Sequence, residues 1–193
     1  MAVPFLLLGL GNPGPRFTGT RHNVGFDFVE AVAKSQSRSL KKQLFRPVRV
    51  SLSPSGGAPA LAEPLTYMNR SGAVVPWLLQ RSGIDLEKLV VVVDNMDLPP
   101  GEVRMKRRGS PASHNGLKSI SAALGSDDYP RIYLGVGRPA FGGDVIEHVL
   151  GSFSEPDRHA VDAAMKRLIP LFRDLQGREI EQLISDVNAR RRP

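Results

Sequence analysis

Leu89-Val90-Val91-Val92-Val93-Asp94 places four consecutive valines between a leucine and an acid. Branched side chains crowd a helix but fit a pleated strand. With no polar residue from 89 to 93, both faces of that strand must be covered. That is the pattern of a central strand in a sheet flanked by helices on both sides. Working outward, Pro4–Leu10 reads as a second buried strand, since Phe5-Leu6-Leu7-Leu8 is stopped by a run rich in glycine and proline. Arg131–Val136, closed by Gly137, and Ala60–Pro64 read as further strands. Lys41–Ser53 is strand-like, with Val48 and Val50 alternating before a turn at Ser53-Pro54-Ser55-Gly56-Gly57. Glu102–Arg108 also alternates.

Helical periodicity fills the gaps. Val24, Phe28 and Val32 recur every four residues after Asn23. Ser71–Arg81 reads as a helix despite Pro76, with Gly83 as its stop, and Gly116–Leu124 as another. Val161, Met165, Leu168, Phe172 and Leu175 form one stripe on a helix capped by Ser154 and Asp157, kinked at Pro170 and ended by Gly177. Glu179–Asn188 closes the series. Strands alternating with helices predict an α/β fold: a single domain over residues 1–193, with a mixed, partly parallel sheet sandwiched between helices.

Composition sets the outer limits. The 193 residues are 41% hydrophobic and 23% charged, which excludes wholesale disorder. No cysteine is present, so a disulfide framework, a thiolate zinc site and a cysteine nucleophile are excluded. The apolar run at residues 5–8 is far shorter than the roughly 20 residues of a membrane span, and no basic segment precedes it. The expectation is a soluble, unexported, cytoplasmic protein without membrane contact. Twenty-six Lys and Arg against 19 Asp and Glu leave a net charge of +7, which favours a polyanionic partner, nucleic acid first.

Two glycine motifs need weighing. Gly9-x-Gly11-x-x-Gly14 follows a strand, as a dinucleotide-binding turn does. Pro13, however, stands where the helix should offer N–H groups, and Asp27 and Glu30 fall inside the predicted helix instead of ending a second strand. Gly14-x4-Gly19 has the glycine spacing of a phosphate loop, but Thr20-Arg21 follows where a lysine is required. No G-x-S-x-G nucleophile turn occurs.

The remaining unusual residues gather at strand ends and helix starts, where open α/β sheets build their clefts. They are Asn12, His22-Asn23, Met68-Asn69, Asp94 and His114-Asn115. A histidine with a carboxylate partner makes a general base and its orienter. Asparagine amides donate and accept hydrogen bonds without adding charge, which suits a neutral ester or peptide. Each asparagine also has an ordinary role as a helix cap, and residues 94–101 could be only a turn. Arg104, Lys106 and Arg108 alternate and so share one face of a strand, with Arg107 on the other.

Six blocks in order carry a resemblance. They are Gly9-Leu10-Gly11-Asn12-Pro13-Gly14, Thr20-Arg21-His22-Asn23-Val24-Gly25, Pro64-Leu65-Thr66-Tyr67-Met68-Asn69-Arg70-Ser71-Gly72, Asp94-Asn95-Met96-Asp97-Leu98-Pro99-Pro100-Gly101, His114-Asn115-Gly116-Leu117 and Gly135-Val136-Gly137-Arg138-Pro139. Together they resemble the bacterial-type peptidyl-tRNA hydrolases over nearly the whole chain. The resemblance implies a monomeric esterase, free of metal and of any cofactor, with no obligate protein partner. Such an enzyme cleaves the ester between a peptide and the 3′-terminal ribose of tRNA. By resemblance, His22 is the base and Asp94 its orienter, while Asn12, Asn69 and Asn115 hold substrate and water. Met68 lines the same pocket, Phe17 stands where the family usually has a substrate-contacting tyrosine, and either Asn69 or Asn115 serves the oxyanion. Arg104, Lys106 and Arg108 would meet tRNA phosphates. Tyr133 stands where many members carry a phosphate-binding arginine, and Arg131 is the expected substitute. Ser110-Pro111-Ala112-Ser113 replaces a glycine-rich loop. The rival reading is a non-catalytic RNA-binding protein on the same fold.

Overall fold

The computed structural model describes residues 5–52 and 57–191. Seven strands form one sheet: β1 (Leu6–Gly9), β2 (Lys41–Lys42), β3 (Val48–Ser51), β4 (Ala60–Pro64), β5 (Leu89–Asn95), β6 (Val103–Lys106) and β7 (Arg131–Gly135). Their spatial order is β2-β3-β4-β1-β5-β7-β6. The inner four, β4, β1, β5 and β7, run parallel, and antiparallel pairings add β3 and β2 at one edge and β6 at the other. Six helices cover the faces: α1 (Val24–Ser35), α2 (Val75–Ser82), α3 (Asn115–Leu124), α4 (Val145–Leu150), α5 (Glu155–Leu168) and α6 (Ile180–Ala189). This is the mixed, helix-covered α/β sheet expected from the sequence.

The valine run forms the centre. Leu89 to Val93 are all fully buried. Val90 and Val92 enter a core with Phe28, Val32, Val161, Met165 and Leu183, whereas Val91 and Val93 enter a second core with Val75, Leu78, Leu117 and Ile120. Each such side chain is worth about 1.5–3 kcal/mol on burial, so β5 stabilises both layers at once.

Several boundaries differ from expectation. The last long helix does not kink at Pro170 and run on to Gly177. α5 stops at Leu168, and Ile169–Phe172 is a 3-10 turn, because proline has no N–H to continue the ladder. Phe172 and Leu175 are buried all the same. The segment before Gly83 splits into a 3-10 stretch, Met68–Val74, and then α2, with Pro76 in the first turn, where no N–H is needed. Lys41–Ser53 is two strands, not one, and the strand expected at Glu102–Arg108 spans only Val103–Lys106. α4 lies in a stretch to which the sequence assigned no helix. Asp144 caps it by accepting from the Glu147 N–H. Most of the expected turn at residues 53–57 lies outside the described residues.

The glycines near the first strand serve packing. A Cβ on Gly9 would stand 2.3 Å from the Gly25 carbonyl oxygen, and one on Gly11 would press on the Phe26 ring. A Cβ on Gly25 would meet the Val92 carbonyl oxygen at 2.4 Å and the Leu10 backbone at 2.6 Å. Gly9, Gly11 and Gly25 thus record α1 lying directly on β1 and β5, whereas Gly14 has open space beside it and a φ of +106° that favours glycine. Gly25→Ala should therefore lower stability by at least about 3 kcal/mol, the upper end of overpacking costs. For a chain of this size that is about 6–12 °C in Tm, readable by thermal circular dichroism. An unchanged Tm would contradict the close approach.

Candidate active site

The site forms where the parallel strands end. β1 runs into Gly11 and Asn12, β4 into the turn before Met68, and β5 into Asp94. A one-turn 3-10 helix, Arg21–Asn23, carries His22, and α3 begins at Asn115 with His114 as its cap.

Asn12 and Asn23 lock these segments together. The Asn12 N–H donates to Asn23 Oδ1 at 2.9 Å, and Asn23 Nδ2 donates to the Asn12 carbonyl oxygen at 2.9 Å. Asn12 Oδ1 in turn accepts the Met68 N–H at 2.8 Å. Both asparagines are buried. The Asn12 amide NH2 has no hydrogen-bond partner among the described residues, and Asn12 lines the cleft.

His22 and Asp94, 72 positions apart, meet: His22 Nδ1 donates to Asp94 Oδ1 at 2.8 Å. His114 Nε2 reaches the same oxygen at 3.1 Å. The Leu117 N–H donates to His114 Nδ1 at 3.3 Å. These partners assign the tautomers. His114 accepts at Nδ1 and so carries its proton on Nε2, which leaves neither nitrogen free. His22 carries its proton on Nδ1, and its Nε2 keeps an open lone pair with no partner among the described residues.

The electrostatics follow from burial. Asp94 is 5% exposed, and burial alone would raise its pKa. The two histidines outweigh that effect and hold the carboxyl well below the usual range. For His22, burial disfavours the charged form, but the Asp94 charge and hydrogen bond prevail, so its pKa lies above the ordinary 6.5. His22, Asp94 and His114 are also the one group among the described residues close enough to ligate a metal ion. As arranged, both imidazoles hydrogen-bond the Asp94 carboxylate.

A cleft of about 760 Å³ opens over the pair. Met68 is buried in its floor, and Asn69 and Asn115 are exposed at its edge. Arg104 and Lys106 line one part of it, and Val145, Ile146 and Val149 of α4 line another. Phe17 does not line the cleft; it sits edge-on against Tyr67, ring centroids 6.3 Å apart, and Tyr67 does line it. Arg108 is exposed beyond the end of β6, outside the cleft lining. Arg107 pairs with Glu181 at 2.9 Å and with Glu87 at 3.6 Å.

Arg131 overturns its expectation. Its side chain is fully buried, lies 4.3 Å over the Tyr129 ring, and donates to the carbonyl oxygens of Ser110 and Asp127 at 3.0 Å each. A guanidinium enclosed in this way has no face for a phosphate; it anchors the loop that leads to His114.

His114, Tyr67 and Asn23 are the members to which sequence reasoning gave no site role. All three lay in motifs already singled out. Their functions depend on hydrogen-bond direction and ring packing, which residue spacing does not carry.

The sequence pattern of one protein family, described as peptidyl-tRNA hydrolase, matches residues 6–193. A peptidyl-tRNA hydrolase of Geobacillus kaustophilus is 42% identical over 183 residues, covering 95% of this chain and 98% of that protein. One from Bacillus subtilis is 35% identical over 185 residues, covering 96% and 98%. The crystal structure of the Acinetobacter baumannii peptidyl-tRNA hydrolase superposes with a TM-score of 0.87 at 30% identity, covering 98% of this chain and 97% of that one. With family pattern, curated relatives and solved fold in agreement along almost its entire length, the chain belongs to the peptidyl-tRNA hydrolase family.

Proposed function

We propose that this chain hydrolyses the ester joining a peptide to the 3′-terminal ribose of tRNA, with His22 as general base and Asp94 as its orienting partner. The observation that carries this reading is the His22 ring. One nitrogen is bonded to a buried carboxylate at 2.8 Å, and the other has no partner among the described residues on a side chain that lines the cleft.

The chemistry needs no more than a positioned water. His22 Nε2 takes a proton from water as its oxygen attacks the ester carbonyl carbon. Asp94 stabilises the imidazolium that forms, as in a catalytic triad with water in place of serine. The carbonyl oxygen becomes an oxyanion, which an asparagine amide receives. Asn69 and Asn115 stand at the cleft edge, and Asn12 offers an NH2 that has no partner among the described residues. One such donor is worth about 2.7–4 kcal/mol in a comparable site. When the tetrahedral intermediate collapses, the carbon–oxygen bond to the ribose breaks. The imidazolium then returns its proton to the 3′ oxygen, leaving a free peptide acid, free tRNA and neutral His22.

The cleft walls differ in kind. Arg104 and Lys106 suit phosphates, with the exposed Arg108 beyond them, while Val145, Ile146 and Val149 suit peptide side chains. tRNA lies along the basic wall and the peptide along the apolar one.

His22→Ala should lower kcat/KM by about 10²–10⁴, the usual contribution of a general base, measured as release of labelled peptide from N-blocked aminoacyl-tRNA; near-normal turnover would remove His22 from the mechanism. The reaction uses neutral imidazole, and Asp94 raises the proton affinity of that ring. The wild-type kcat/KM should therefore fall as pH drops, with a midpoint above the ordinary histidine value. A flat profile from about pH 5 to 8 would contradict a histidine base. Lys106→Ala should weaken tRNA binding and reduce the slope of log K against log salt by about 1. Arg131→Leu should leave that slope unchanged and lower Tm instead.

A further inference from the structure

We infer that His114 is a positioning residue: through a second hydrogen bond it holds the Asp94 carboxylate and so sets how tightly His22 keeps its proton. The inference rests on the proposed role of His22 as base and assigns the neighbouring histidine a part in the same reaction.

Three contacts carry it. Asp94 Oδ1 accepts from His22 Nδ1 at 2.8 Å and from His114 Nε2 at 3.1 Å, so a single oxygen is shared. The Leu117 N–H points at His114 Nδ1 from 3.3 Å, the capping bond of α3. Protonating Nδ1 would break that bond and set a cation against the positive end of the helix. The Nε2–H donor to Asp94 is therefore fixed.

A shared oxygen attracts each donor less than an unshared one. With His114 absent, the full Asp94 charge would fall on the His22 ring and keep it protonated further into the neutral range, where it could not act as a base. The charged and titratable groups that line the cleft with the trio are Tyr67, Asp97, Arg104, Lys106, Tyr133 and Arg138. None of them bonds to Asp94 or to either histidine ring among the described residues. Arg138 is bonded instead to Asp97 at 2.5 Å.

A purely structural role for His114, capping α3, makes a different prediction, and two substitutions separate them. His114→Asn keeps a strong cap but is too short to reach Asp94. His114→Gln carries an amide NH2 about as far as Nε2. The readouts are Tm, the pH dependence of kcat/KM, and the His22 ring titration followed by NMR in the substrate-free protein. For His114→Asn we expect a near-native Tm, with both the kinetic midpoint and the His22 titration raised by about half a pH unit or more, which is a threefold loss of free base on the acid limb. His114→Gln should restore most of that shift. His114→Ser, another capping side chain, gives the same comparison should the asparagine variant fold poorly. An unmoved or lowered His22 titration in the capped variants overturns the inference. Wild-type activity that ignores the measured His22 titration would instead overturn the assignment of His22 as base, so the two failures are distinct.

Discussion

A carboxylate at the end of a buried strand is the constraint around which the site is organised. Asp94 follows five fully buried residues and is itself 5% exposed. An unpaired ionised acid there would cost several kcal/mol. Two imidazoles remove that penalty from different directions, one 72 residues before Asp94 and one 20 residues after it. The stability of the pairing and the chemistry of the site thus have one source. The contacts that make a buried charge tolerable also fix the tautomer of His22 and leave its outer nitrogen open.

Bringing His22 to Asp94 requires α1 to lie nearly on the sheet. Gly9 and Gly25 permit that approach, since a methyl group on Gly25 would collide with the backbone of Leu10, just after β1, and of Val92 in β5. The reciprocal Asn12–Asn23 bonds then fix the turn beside His22, and Asn12 Oδ1 draws in the Met68 segment. A dinucleotide fingerprint and a close helix–strand contact leave the same glycine spacing in a sequence. What separates them here is Pro13 and the absence of an acid at the end of a second strand.

Much of this was legible before any coordinates. The valine run identified the central strand because nothing polar interrupts it, and Val24, Phe28 and Val32 marked the buried face of α1. Ala60–Pro64 has the limits the sequence suggests, since apolar residues there meet turn formers at both ends. α4 was not legible because six residues are fewer than two turns and show no period. Arg131 was misleading because a charged residue is read as surface, yet it is fully buried, as is Glu63. Arg131 is held by a ring and two carbonyls. Glu63 bonds to Arg49, and burial pushes its pKa up to about 7. Partners of that kind come from other elements, so spacing along one element cannot reveal them.

The two histidines show most clearly where sequence stops and geometry begins. Each sits at the start of a helix, and each bonds the same carboxylate oxygen. Composition and spacing treat them alike. One backbone N–H distinguishes them: that of Leu117, which occupies the second nitrogen of His114. No such donor reaches the second nitrogen of His22 among the described residues. The assignment of base and positioning residue follows from that difference. It depends on α3 beginning at Asn115, so that Leu117 falls at the third helical position, where a capping side chain is met.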